Sequence, residues 1–211
     1  MAGADDLPAR SVLWKALGRA WAYPGDRLMA SFASGLFTGL VEAAWARVAG
    51  PDDSGAAELR QALQASLARE IALAEEHTFL FDGRVRCPPY ESSYLQDPYG
   101  RARNLSDLTR ILEGLGLRLA PDTRDLVDHI GILMELVGHT LAREADLTGR
   151  GKTEAASGWR AVRRGLVLGH LGRWVDEFAA RLEGTARLPF YPALARLTLR
   201  LRNLEREALA G

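Results

Sequence analysis

The chain has 211 residues, 47% of them hydrophobic, with 27 basic side chains against 27 acidic ones and a single cysteine. That length carries one domain whose core needs no staples, and the charge balance excludes the electrostatic footprint of a nucleic-acid or anionic-membrane binder. One cysteine makes no internal disulfide, which fits a reducing compartment. The opening "MAGADDLPAR" places two aspartates where a secretory signal carries positive charge. No apolar run approaches the roughly 20 residues of a membrane span. The expectation is a soluble, cytoplasmic protein.

In chain order the apolar residues recur at helical spacing. After a short tail over residues 1–9, Leu13, Leu17 and Trp21 share a face, and "YPGD" (Tyr23 to Asp26) stops that helix. Phe37, Leu40, Val41, Ala44, Trp45 and Val48 make a second buried stripe, closed by the loop "AGPDDSG" (Ala49 to Gly55). From about Ala56 a long helix is predicted to run to about Leu80, with Leu59, Leu63, Leu67 and Ile71 on one side. "CPPYESSYL" (Cys87 to Leu95) interrupts it: Pro88 and Pro89 fix φ and deny helix, so this stretch runs extended.

Helical rhythm resumes with Asn104 or Ser106 as N-cap, Leu105, Leu108, Ile111, Leu112 and Leu115 inside, and Gly114 and Gly116 as the stop. "APDTRD" (Ala120 to Asp125) is predicted to start the next helix, with Leu126, Ile130, Leu133, Val137 and Leu141 as its stripe. "LTGRGKTEAASG" (Leu147 to Gly158) reads as a long loop. Trp159, Val162 and Leu166, then Leu171, Trp174, Phe178 and Leu182, and after Pro189 and Pro192 the series Leu194, Leu197, Leu201 and Leu204, complete the helices. No period-2 run or internal repeat is visible. The fold class is therefore all-α, a single up-and-down bundle of about eight to ten helices over residues 1–211.

Several motifs yield to plainer readings. "GRGKT" (Gly149 to Thr153) has Asp146 where a phosphate loop needs its first glycine, and a helix rather than a strand precedes it. "VRRGLVLG" (Val162 to Gly169) imitates an export signal but sits in the last third of the chain, where it reads as a helix with a basic face. His77, His129, His139 and His170 form neither a His-Glu-x-x-His nor paired Glu-x-x-His patterns, so no metal and no cofactor is expected. Glu135 and His139 share a face but do not fill a coordination sphere. Cys87, between an arginine and two prolines, reads as a small buried group rather than a nucleophile.

Two segments carry more chemistry than their folding roles need. "PPYESSYL" offers tyrosines and polar groups on a stiff, extended backbone, a surface suited to a peptide. "DHIGILMEL" (Asp128 to Leu136) sets Asp128 and His129 against an apolar stripe, with Gly131 inside a helix where it costs up to about 1 kcal/mol relative to alanine. Such a glycine makes sense where something approaches the backbone closely.

Together these segments resemble the paired signatures of the TorD/DmsD family of redox-enzyme maturation chaperones. "EEHTFLF" (Glu75 to Phe81), "GHLGRWVDEF" (Gly169 to Phe178) and "LPFYPALARLTL" (Leu188 to Leu199) resemble further family marks in the same order, so that the resemblance spans about residues 10 to 205. One departure is Ile130 after the Asp-His pair, and the nitrate-reductase branch is less similar because its basic segment is not evident. The resemblance implies an all-helical chaperone without enzymatic activity. Such a protein binds the precursor of a molybdenum-containing oxidoreductase, often through its twin-arginine leader, and assists cofactor insertion before assembly or export. Carried across, the first signature supplies Pro89, Tyr90, Glu91, Ser92 and Tyr94 as client-binding residues, and the second supplies Asp128, His129 and Gly131.

The residues agree with that implication. A leader with an arginine pair before an apolar stretch needs carboxylates beside an aromatic groove: Asp128, Glu91 and Glu135 for the first, Tyr90, Tyr94, Phe79 and Phe81 for the second. A monomer or a domain-swapped dimer would suit such a bundle. Two alternatives stand beside it: a helical enzyme using Asp128 and His129 for acid–base work, and a scaffold or nucleotide-regulated binder using the "GRGKT" loop.

Overall fold

A computed structural model describes residues 6–97, 99–121 and 123–210. Ten α-helices are present among them: α1 (Leu7–Ala20), α2 (Asp26–Ala33), α3 (Leu36–Ala49), α4 (Gly55–Leu67), α5 (Leu73–Phe81), α6 (Gly100–Gly114), α7 (Ile130–Gly149), α8 (Thr153–Arg164), α9 (Val175–Thr185) and α10 (Phe190–Ala210). No strand occurs among the described residues, and the helices build one all-α domain. No single described helix is long and apolar enough to cross a membrane.

α1 begins inside the expected tail. The Asp6 carboxylate accepts the Ala9 N–H at 2.9 Å and Pro8 occupies the first turn, where its missing donor costs nothing. Residues 1–5 of that tail lie outside the described residues. α7 is the centre of the bundle: it packs along α1 on one side and α8 on another, α1 continues to α3, α3 to α4, and α4 to α10. The α1–α7 contact is close because glycines line it. A Cβ on Gly18 would sit 2.9 Å from the Gly131 carbonyl oxygen, and one on Gly138 would sit 3.0 Å from that of Ser11. These pairings make the two helices antiparallel, and the Ser11 hydroxyl ties them by donating to the Gly138 carbonyl at 2.7 Å.

Other boundaries also differ from the sequence reading. The long helix expected from Ala56 to Leu80 is two, broken over residues 68–72, and Leu67 is exposed. The break lets α5 turn so that the buried Glu76 accepts the N–H groups of Arg187 and Leu188 ahead of α10, at 2.6 and 3.2 Å. Leu40 is likewise exposed on α3. α6 starts at Gly100, which puts Asn104 and Ser106 in its interior rather than at its cap. Residues 120, 121 and 123–129 are not helical, and Asp122 of the expected helix start lies outside the described residues; α7 starts at Ile130, and Leu126 is exposed. Gly131 thus lies in a first turn, not mid-helix, and what approaches its backbone is α1.

"GRGKT" is a helix stop. Gly151 takes the left-handed conformation (φ +69°), its N–H donates to the Thr148 carbonyl, and the Lys152 N–H donates to the Leu147 carbonyl at 2.9 Å. α8 follows at once, so the expected loop to Gly158 shrinks to residues 150–152. Arg163 of "VRRGLVLG" belongs to no basic face. It is buried between Glu144 and Glu205, which also takes Arg10 and the Trp14 indole, so one ionic network ties α1, α7, α8 and α10.

Candidate functional site: a groove beside a two-rung bridge

The proline segment leaves α5, runs extended through Pro88 and Pro89, and pairs with the segment entering α7. The Ile130 N–H donates to the Pro89 carbonyl at 2.9 Å and the Glu91 N–H to the Asp128 carbonyl at 3.1 Å, an antiparallel bridge of Tyr90 with His129. An Asp128 side-chain oxygen accepts the Ser92 N–H at 2.9 Å. Below the bridge the Tyr94 hydroxyl donates to the Pro88 carbonyl at 2.9 Å, and its ring stacks on Trp174 with centroids 5.2 Å apart.

Glu91 is fully buried. His170 Nδ1 lies 2.9 Å from one carboxylate oxygen and the Arg173 guanidinium 2.7 Å from the other. The turn between α8 and α9 that carries His170 includes a π-helical stretch, Gly165–His170, which re-aims the chain toward Glu91.

His129 caps α7. Its Nδ1 accepts the Gly131 N–H at 3.1 Å, which requires that nitrogen to be unprotonated. Burial pushes the imidazole below its ordinary pKa against the opposing pull of Asp125 and Asp128. The Tyr90 ring packs edge-on against it at 5.3 Å, and the Tyr90 hydroxyl donates to Asp125 at 2.9 Å. Burial, then the Asp125 carboxylate, holds that phenol well above its usual range. Asp128 and His129 bond to different backbone amides, so they form no acid–base dyad.

On the outer side of His129 opens a groove of about 630 Å³. α7 supplies His129, Gly131, Ile132, Glu135, Leu136 and His139 as one wall, and α1 supplies Lys15, Gly18 and Arg19. The strap between α6 and α7 closes the third side with Leu117, Arg118, Leu119, Thr123 and Asp125. A groove of this kind, apolar with a few charges at its rim, suits a short segment of another chain.

The sequence matches the family described as nitrate reductase delta subunit over residues 48–180. The chain belongs to this family, that of the TorD/DmsD maturation chaperones. It is similar to the chaperone protein TorD of Aeromonas salmonicida, with 28% identity over 143 residues, 66% of this chain and 63% of that one. It is also similar to the chaperone protein TorD of Actinobacillus succinogenes, with 30% identity over 129 residues, 61% of this chain and 59% of that one. The aligned part thus spans about six-tenths of either relative. The family match contains both signatures and the turn that receives Glu91, and it stops inside α9.

Of the residues singled out from sequence, His129, Gly131 and Glu135 line the groove, and Tyr90 borders it through Asp125. Pro89, Glu91, Ser92, Tyr94 and Asp128 are brought together around the bridge instead. Phe81 is buried in a ring cluster with Trp21, His77 and Tyr191, and Phe79 lies between the Arg86 and Arg187 guanidiniums at 4.0 and 4.1 Å. Neither lines the groove. Sequence reasoning missed Asp125, Lys15, Arg19 and the strap leucines. Asp125, three positions before Asp128, was the one with a visible signal; the others are ordinary helix and loop residues until the chain folds. Among the described residues no group of three His, Cys, Asp or Glu side chains is gathered as a metal ion would need.

Proposed function

We propose that the protein is a cytoplasmic, non-enzymatic chaperone for the precursor of a molybdenum-containing oxidoreductase, which it holds during cofactor insertion before assembly or export. The groove between α1, α7 and the strap receives the client's leader. The observation that carries this reading is the junction of the two signature segments: the bridge of Tyr90 with His129 builds the groove's end, with Asp125 and Glu135 beside apolar walls. The chaperone names of both relatives support it.

In this reading the site residues divide their work. His129, Gly131, Glu135 and Tyr90 face the client. Glu91, Asp128, Ser92, Pro89 and Tyr94 hold the bridge, and Phe79 and Phe81 anchor the helix that leads into it. Glu135, which is exposed, and Asp125 supply the carboxylates that an arginine pair requires. Titration calorimetry of a synthetic twin-arginine leader peptide tests this. Glu135→Gln should weaken binding about tenfold with an unchanged melting temperature, as expected when one charge-assisted hydrogen bond is lost. Full affinity in that variant and in Leu119→Asp would place the client elsewhere.

A further inference from the structure

Among the described residues, five charged side chains line the groove: Lys15 and Arg19 from α1, Arg118 and Asp125 from the strap, and Glu135 from α7. Asp125 stands at the end where His129 starts α7. At the other end His139 lies in the field of Lys15 and Arg143, and burial together with those two cations holds its imidazole below the ordinary value. Lys15 belongs to α1, and its side chain crosses Gly138. Glu135 falls between on α7, its side chain beside Gly18. Lys15, Arg19 and Glu135 enter no ion pair among the described residues, so their charges are not spent inside the protein.

From His129 to His139 is ten residues of helix, about 15 Å. Over that length the groove passes from a carboxylate to a lysine, across a floor of Ile132 and Leu136. An apolar segment lying in it meets opposite potentials at its two ends, so charge complementarity selects one of its two directions.

We infer that the groove reads the direction of its client: the leader lies parallel to α7, its basic N-terminal end at Asp125 and a carboxylate-bearing C-terminal end at Lys15. This rests on the leader-binding reading above and adds to it both a direction and a requirement for acidic residues after the apolar stretch. It also assigns Lys15, a residue outside both signature segments, to the selection of clients.

Two synthetic peptides with blocked ends test the inference at pH 7.5 by calorimetry. One carries two arginines, a ten-residue leucine–alanine stretch and two glutamates; the other has the glutamates first and the arginines last. The expected result is at least tenfold tighter binding of the arginine-first peptide, and loss of most of that preference in Lys15→Glu, an exposed position whose change leaves the fold intact. The variant controls for any difference in the peptides' own helicity. Equal binding of both orders by the unaltered protein overturns the direction and leaves the leader reading standing. A preference that survives Lys15→Glu also overturns it, because the lysine end then does no selecting. Binding of neither peptide, nor of a natural twin-arginine leader, removes the leader reading and this inference with it.

Discussion

Gly18 and Gly131 meet backbone to backbone: a Cβ on either would lie 2.9 or 2.8 Å from the other's carbonyl oxygen. One side of the groove therefore owes its position to two residues without side chains. Gly131→Ala must push α1 and α7 apart, and overpacking of this kind costs about 1–3 kcal/mol. Gly158→Ala, inside α8 with nothing within 4 Å, is the control. It should stabilise by about 0.4–1 kcal/mol. Urea unfolding of both variants checks the pair, and equal behaviour would mean that the α1–α7 contact yields freely.

Glu91 and Ser92 are neighbours with opposite sensitivities. Glu91→Ala strips His170 and Arg173 of a buried carboxylate and should cost about 2–3 kcal/mol, in the range for hydrogen bonds to charged groups. Ser92 contributes its backbone N–H to Asp128, which alanine keeps, so Ser92→Ala should stay within about 0.5 kcal/mol. Thermal melts separate the two. A large loss in Ser92→Ala would give its hydroxyl a packing role that these contacts do not show.

The network of Arg10, Arg163, Glu144 and Glu205 is buried on all sides. Glu205→Gln leaves two guanidiniums short of a charge and should cost about 3–5 kcal/mol, the usual loss when one member of a buried pair is removed. Denaturant midpoints measure it, and leader affinity corrected for unfolding should not change.

His77, His129 and His139 are each held below the ordinary value of 6.5 by burial. Between the folded and unfolded values the unfolded chain binds more protons, so stability rises with pH across that window. The contribution is fully present above pH 6.5 and is lost as pH falls toward the folded values. For His129 the loss is local as well, because a protonated Nδ1 faces the Gly131 N–H it now accepts. Melting temperatures at pH 7.5, 6.5 and 5.5 should fall in that order, and His129→Gln should flatten part of the slope.

The helices were legible because their buried stripes repeat, as in Leu13 and Leu17 or Leu59 and Leu63. Periodicity passed over the break at residues 68–72, since two consecutive helices can keep one rhythm while the reason for the break, Glu76 beneath Arg187 and Leu188, lies more than a hundred residues away. It placed Asp128 on a helix for the same reason: the groups that bond this segment, Pro89, Glu91 and Ser92, belong to the distant proline stretch. Much of what makes the motif segments unusual is mutual. Glu91 joins "PPYESSYL" to "GHLGRW", and Glu76 joins "EEHTFLF" to "LPFYP". A carboxylate read as available to a ligand proves to be committed to a distant stretch of its own chain, and no local pattern distinguishes the two.

The bridge of Tyr90 with His129 joins positions far apart in sequence by two backbone hydrogen bonds, with a third from Ser92 to the Asp128 side chain. Outside any helix ladder, these bonds open without a helix having to unwind, so the amide protons of Glu91, Ser92 and Ile130 should exchange with solvent ahead of those in the middle of α7. The end of the groove consequently carries its own isotopic clock. Three amides report whether it is assembled, independently of whether the bundle beneath it is folded.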